Sequence, residues 1–157
     1  MTLAPTRRVA RSGVLVLGGG FAGGHVAHAL RHSGVTMVEP APAPRSNAWP
    51  NAELVSGWAI ELDPQRRVVG VESKTGRLAI AYAQLIVAFG PFSRGAARLG
   101  LPHDAEGRIR VDETLRVVGA ANIWALGDCA ALPNGGTARR CPRGAGDVLR
   151  IVARRRF

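Results

Sequence analysis

Residues 14–39 constrain this chain more tightly than any other stretch. An apolar run, Val14 to Leu17, stops at Gly18-Gly19-Gly20; helix-compatible residues run from Phe21 to Leu30; a second apolar run, Val35 to Val38, ends at Glu39. That order predicts strand, tight turn, helix, strand and carboxylate, with Gly18, Gly20 and Gly23 on the G-x-G-x-x-G spacing. Gly18 permits a sharp exit from the strand. Gly20 has no side chain to hold an anion away from the main-chain amides, and Gly23 lets the helix sit close to the sheet. The free amides and positive end of that helix suit phosphate. Glu39, 21 positions beyond Gly18, stands where an acid accepts hydrogen bonds from a ribose diol; an arginine there would suit a 2′-phosphate. Gly18, Gly19, Gly20, Phe21, Ala22, Gly23 and Glu39 are therefore candidate dinucleotide contacts. The plainer alternative is a βαβ unit whose glycines serve packing alone.

The 157 residues suit one domain with a real core, and 46% hydrophobic with 20% charged residues is ordinary globular usage. No apolar stretch approaches the ~20 residues that span a bilayer. Val14 to Leu17 is too short and too glycine-bounded for a signal-peptide core, so a cytoplasmic protein is expected. The net charge of +10 belongs to the two ends: Arg7, Arg8 and Arg11 at the front, and seven arginines against Asp147 alone over 139–157. The body between is nearly neutral, which argues against a nucleic-acid face. Cys129 and Cys141 form neither a C-x-x-C pair nor a metal site.

Further along, Pro40 to Asn51 reads as a loop. Glu53–Asp63, Arg67–Glu72 and Arg77–Tyr82 resemble three successive strands joined by turns at Asp63–Arg66 and Ser73–Gly76. Leu85–Phe89 is a continuous apolar run ended by Gly90-Pro91, as expected for a strand buried on both faces of a parallel sheet. Gly107–Val111 predicts a short strand and Asn122–Leu126 another, ending at Gly127-Asp128. The pattern fails from Gly135, where a disordered tail or a basic amphipathic segment on anionic membrane is expected. His25, His28 and His32 share a helix face with no third ligand type nearby, which reads as a solvated polar face. No catalytic residue and no metal site is assigned.

Four motifs in order carry a family likeness: Gly18–Gly23; Gln84-Leu85-Ile86-Val87-Ala88-Phe89-Gly90; Val111-Asp112-Glu113-Thr114-Leu115-Arg116-Val117; and Ile123-Trp124-Ala125-Leu126-Gly127-Asp128-Cys129-Ala130. With them the chain resembles the FAD-dependent pyridine nucleotide-disulphide oxidoreductase superfamily. It is most similar to type II NADH dehydrogenases, which pass electrons from NADH through FAD to a quinone. The resemblance implies an α/β fold: a three-layer Rossmann-like FAD-binding domain with a parallel sheet and a small β-meander. It implies that Gly18, Gly20 and Gly23 approach the FAD pyrophosphate and Glu39 the adenosine ribose. Ala88, Phe89 and Gly90 would lie beside the flavin nucleotide, and Gly127 with Asp128 at the ribityl-pyrophosphate portion. Asp128 also fits a helix N-cap, and one residue can serve both.

The departures are equally specific. In the resembled family a second βαβ domain for NADH sits between the Phe89-Gly90 turn and the Gly127-Asp128 strand; here only Pro91 to Asp112 intervenes, with no second glycine fingerprint. The NADH domain reads as excised. The Gly-Asp-Cys-Ala-Ala segment leads in that family to a helix facing flavin and quinone, whereas Thr137-Ala138 here runs into arginines, as a truncated or frameshifted gene end would. The expected organisation is a basic arm over 1–12, a reduced FAD-binding domain over 13–134 and an arginine-rich tail over 135–157. The candidate cofactor is FAD, with NAD second. Expected partners are a flavin or other dinucleotide and, from the resemblance, a quinone or membrane surface; no nucleic acid is expected. A peripheral position at the inner face of the membrane is the alternative to the cytoplasm. The competing functions are an FAD-binding oxidoreductase-like protein incomplete for NADH oxidation, a cofactor-free remnant, and a simple NAD-binding module.

Overall fold

A computed structural model describes residues 7–40, 52–90 and 95–138. Ala41 to Asn51 of the expected loop, Cys141 and most of the arginine-rich tail lie outside the described residues. The first elements follow the glycine fingerprint: β1 (Arg7–Leu17), α1 (Phe21–Ala29) and β2 (Val35–Glu39). Strands β1 and β2 are parallel, Val14 opposite Val35 and Leu17 opposite Val38, as a helical crossover requires. β1 begins at Arg7, inside the stretch read as a basic arm, because β6 is long enough to pair with it along its length, with an irregularity between Val9 and Ser12.

β3 (Glu53–Ser56) pairs parallel with β2 at one edge. β4 (Trp58–Asp63), β5 (Val68–Ser73) and the first half of β6 (Gly76–Val87) form the antiparallel meander. The second half of β6 continues parallel to β1 and to β8 (Ile123–Ala125). The main sheet therefore has seven strands: β3, β2, β1, β6, β5 and β4 in order, with β8 beside β6. The fold is α/β and Rossmann-like, with the parallel strands and meander expected. A second sheet of β7 (Ile109–Arg110), β9 (Gly127–Ala131) and β10 (Thr137–Ala138) follows the short helix α2 (Gly95–Arg98).

Two strand boundaries differ from expectation. Glu53–Asp63 is two strands, broken at Gly57, where a Cβ would lie 2.6 Å from the Glu72 carbonyl oxygen and 2.8 Å from Val71 Cγ1. β3 and β4 thus stand one residue apart in sequence and at opposite ends of the strand order, so the sheet curls. The Gly57 N–H donates to the Glu39 carbonyl at 3.1 Å across that closure. Conversely, Arg77–Tyr82 and Leu85–Val87 belong to one strand, which ends before Ala88-Phe89, because nothing at Ala83-Gln84 breaks the ladder and Gln84 pairs with Val14. The core lies on these parallel strands: Val14 to Leu17, Leu85 to Val87 and Ile123 to Ala125 are buried, with Val26, Ala27 and Leu30 of the α1 segment packed in. Continuous apolar runs on every central strand are what two covered faces demand.

Candidate functional site

Parallel registry decides where the candidate residues meet. Leu17 lies opposite both Val38 and Val87, and Val87 opposite Ala125. The C-terminal ends of β2, β1, β6 and β8 therefore fall side by side, and each is followed or ended by a candidate: Glu39, Gly18–Gly20, Ala88–Gly90 and Gly127–Asp128. β1 also has its next strand on one side and β6 on the other, the point of an open α/β sheet where a crevice opens.

The three fingerprint glycines do different work. Gly18 adopts φ +100 and donates its N–H to the Val38 carbonyl at 2.9 Å. A Cβ there would strike the Ala88 carbonyl, so both geometry and crowding require glycine. A Cβ at Gly23 would overlap the Gly18 carbonyl oxygen and approach Ala88 Cβ at 3.4 Å, which makes Gly23 the contact between helix and turn. Gly20 is the reverse case. Its backbone is extended (φ −68), and a Cβ would meet no atom within 4 Å. It is the N-cap of α1, with no side-chain cap and no acidic residue in the first turn. The helix end thus presents main-chain donors and a positive dipole to open space.

Glu39 is brought to the same turn: its Oε2 accepts the N–H of Gly19. β2 thereby places a carboxylate on the rim of an otherwise positive cradle. Ala88 continues the sheet, donating to the Leu17 carbonyl at 2.8 Å, and is buried; Phe89 is half-buried and Gly90 exposed. Gly127 turns at φ +77, with a Cβ position 3.2 Å from Ala22 Cβ, so the β8 exit rests against the first turn of α1. Asp128 is half-buried beside it. The helix N-cap expected of Asp128 is replaced by strand: residues 127–131 are β9, paired with β7 and β10, because the Thr137-Ala138 segment folds back on them.

Cys129, which belongs to no cysteine motif, ties the site together. Its Sγ–H faces the Leu126 carbonyl at 3.2 Å and the Val87 carbonyl at 3.6 Å, tying β9 to the end of β6 and to the residue that follows β8. Burial pushes this thiol up to about 11, against opposing hydrogen bonds to the backbone of Phe89, Cys129 and Leu126, so it is unreactive at neutral pH. Only an apolar run before it signalled the burial. His25, His28 and His32 are exposed as the solvated reading expects, but α1 ends at Ala29, so His32 lies in the turn beyond the helix and not on a shared helix face. Among the described residues no group of His, Cys, Asp and Glu could hold a metal ion, and no helix is long and apolar enough to cross a membrane.

A glycine turn on a helix N-terminus, at the switch point of a parallel sheet and rimmed by a carboxylate, is the arrangement of a Rossmann-like nucleotide-binding α/β domain. The profile of the pyridine nucleotide-disulphide oxidoreductases matches residues 58–146, and the chain belongs to that family of flavoprotein-type oxidoreductases. Among solved structures it is similar to NADH:rubredoxin oxidoreductase from Clostridium acetobutylicum, with 12% identity, a TM-score of 0.66, and 89% of this chain and 74% of that one covered. A thioredoxin reductase from Gloeobacter violaceus has 11% identity and a TM-score of 0.64 over 94% of this chain and 97% of its own. The GidA-related protein from Thermus thermophilus has 16% identity and a TM-score of 0.65 over 92% and 99%. These likenesses establish the fold. No curated protein sequence matches the chain.

Proposed function

We propose that this chain is an FAD-binding oxidoreductase-like protein related to NADH:quinone oxidoreductases, in which residues 13–134 form the cofactor-binding unit and the nicotinamide donor is presented from elsewhere. The observation that carries the reading is Gly20: the one fingerprint glycine that packing does not require stands before open space at an uncapped helix end. A diphosphate fits that cradle by charge and by hydrogen bonding. Gly18, Gly19, Gly20, Phe21, Ala22 and Gly23 would hold the pyrophosphate, with Glu39 on the adenosine ribose. Ala88, Phe89 and Gly90 would flank the flavin nucleotide, and Gly127 with Asp128 the ribityl side. FAD, when bound, supplies reversible two-electron chemistry. The chain's own residues bind it, orient it and exclude water from the pyrophosphate.

The likeness to type II NADH dehydrogenases supports a quinone acceptor and a peripheral membrane position, since it is carried by four motifs in order. The short Pro91 to Asp112 connection, with no second glycine fingerprint, supports incompleteness for NADH oxidation. Purified full-length chain is expected to carry a flavin absorbance band and to release FAD on denaturation, or to take up added FAD. At a hundredfold excess over Kd, FAD should add about 2.7 kcal/mol of stability. A colourless chain whose thermal midpoint ignores FAD overturns the proposal. Because Glu39 on the Gly19 amide suits an NAD ribose equally, NADH titrated in parallel decides the second reading, a simple NAD-binding module.

A further inference from the structure

Asp112 lies outside the crevice, yet it governs the corner that carries Asp128. Its Oδ1 accepts hydrogen bonds from the Thr114 N–H at 2.8 Å, the Thr114 hydroxyl at 2.6 Å and the Arg116 N–H at 3.1 Å. Its own N–H donates to the Arg116 carbonyl at 2.8 Å, and its carbonyl accepts the Leu115 N–H at 3.0 Å. The result is a closed turn in which Leu115, a buried leucine, is held at φ +65. A leucine does not adopt that backbone unaided, so the bonds converging on one carboxylate hold it there.

What the strained turn achieves is seen on β8. The Leu115 carbonyl accepts the Ala125 N–H at 3.0 Å, Arg116 bridges Trp124, and the Val117 N–H donates to the Ile123 carbonyl at 2.8 Å. β8 is thus held on one edge by β6 and on the other by residues 115–117. The chain just before Asp112 holds the other arm: Ile109 and Arg110 pair with Ala130 and Ala131 of β9, and the Val111 N–H donates to the Ala131 carbonyl at 3.1 Å. A single turn therefore braces the segment entering Gly127 and the segment leaving Asp128. The corner, at φ +77 on a glycine, is otherwise held by β6 on its entering arm and by the Gly127–Ala138 pairing with β10, so loss of the turn removes one of its braces on each arm.

We infer that Asp112 is a positioning residue, fixing the Gly127–Asp128 corner so that the Asp128 carboxylate is preorganised for the dinucleotide. This rests on the reading of Asp128 as a cofactor contact. FAD affinity of the full-length chain tests it with Asp112→Ala, Asp112→Asn, Asp128→Asn and the double variant Asp112→Ala/Asp128→Asn. Misplacing a preorganised group costs about tenfold for Asp112→Ala. Asn retains the accepting oxygen, so Asp112→Asn should stay within about threefold of wild type, and Asp112→Ala should add nothing to Asp128→Asn. A purely structural role would give losses that multiply. Should Asp112→Ala not fold, Asp112→Glu carries the same cycle, because its longer reach breaks the turn while keeping the charge. Equal binding by wild type and Asp112→Ala, or multiplying losses, overturns the inference alone. A wild-type chain that takes up no FAD, or an Asp128→Asn that binds as wild type, overturns the site reading and the inference with it.

Discussion

Two glycines three positions apart separate packing from binding. Gly23 is jammed against the Gly18 carbonyl, whereas Gly20 faces open space in a backbone conformation any residue adopts. Gly23→Ala should cost about 1–3 kcal/mol of stability, the range for overpacking a tight contact, visible as a lower denaturation midpoint. Gly20→Val should lower that midpoint by no more than the loss of a favoured N-cap residue, about 1 kcal/mol, while reducing FAD uptake by tenfold or more, since its methyls would occupy the space reserved for phosphate. A Gly20→Val chain that binds FAD as wild type does would sink the assignment of the turn to a diphosphate. Spacing marks both glycines alike in the sequence; the fold separates the crowded one from the open one, because the Gly18 carbonyl that crowds Gly23 is brought there by the turn.

At the level of elements, β6 is the hinge of the architecture, antiparallel to β5 in its first half and parallel to β1 and β8 in its second. Gln84 sits in the parallel half, buried, with its Oε1 lacking a hydrogen-bond partner among the described residues. Replacing an unpaired buried acceptor by an apolar group of similar shape is neutral or stabilising. Gln84→Leu should therefore leave stability unchanged or raise it by about 1 kcal/mol in urea unfolding; a clear loss would show that Gln84 has a role in the sheet. The βαβ unit was legible because glycine spacing and apolar period coincide over one short stretch. The join of Arg77–Tyr82 to Leu85–Val87 was not, since a polar residue in a run looks like a boundary until its partner strand is known. Nor was the break at Gly57, which is imposed by Glu72 and Val71 from a strand fifteen positions away. The strand at 127–131 was equally hidden, because its partners at 109–110 and 137–138 carry no local signal.

For the molecule as a whole, ionisation bounds stability on both sides. Burial pushes the Cys129 thiol from 9.0 up to about 11 and Tyr82 up to about 12, so the native state holds these protons more tightly than the unfolded chain. Their contribution is complete below about pH 9 and is lost as pH rises through those values. Cys129→Ala should flatten the alkaline decline by up to about 2 kcal/mol between pH 9 and 11, measured by urea midpoints. At the acid side, burial raises the Asp104 and Asp112 carboxyls, but hydrogen bonds and ion pairing with Arg108, and with Thr114 and Arg116, outweigh it and hold both below their usual value. That part of the stability exists above the ordinary carboxylate range and falls away as pH drops through the depressed values. The Gly57 link sets a further property. With β3 and β4 joined by one residue yet bordering opposite flanks of the sheet, neither border strand can peel off without dragging the other. Opening should then be a single event, and amide exchange in β3 and β4 should keep the same pace, like two ends of a bracelet released by one clasp.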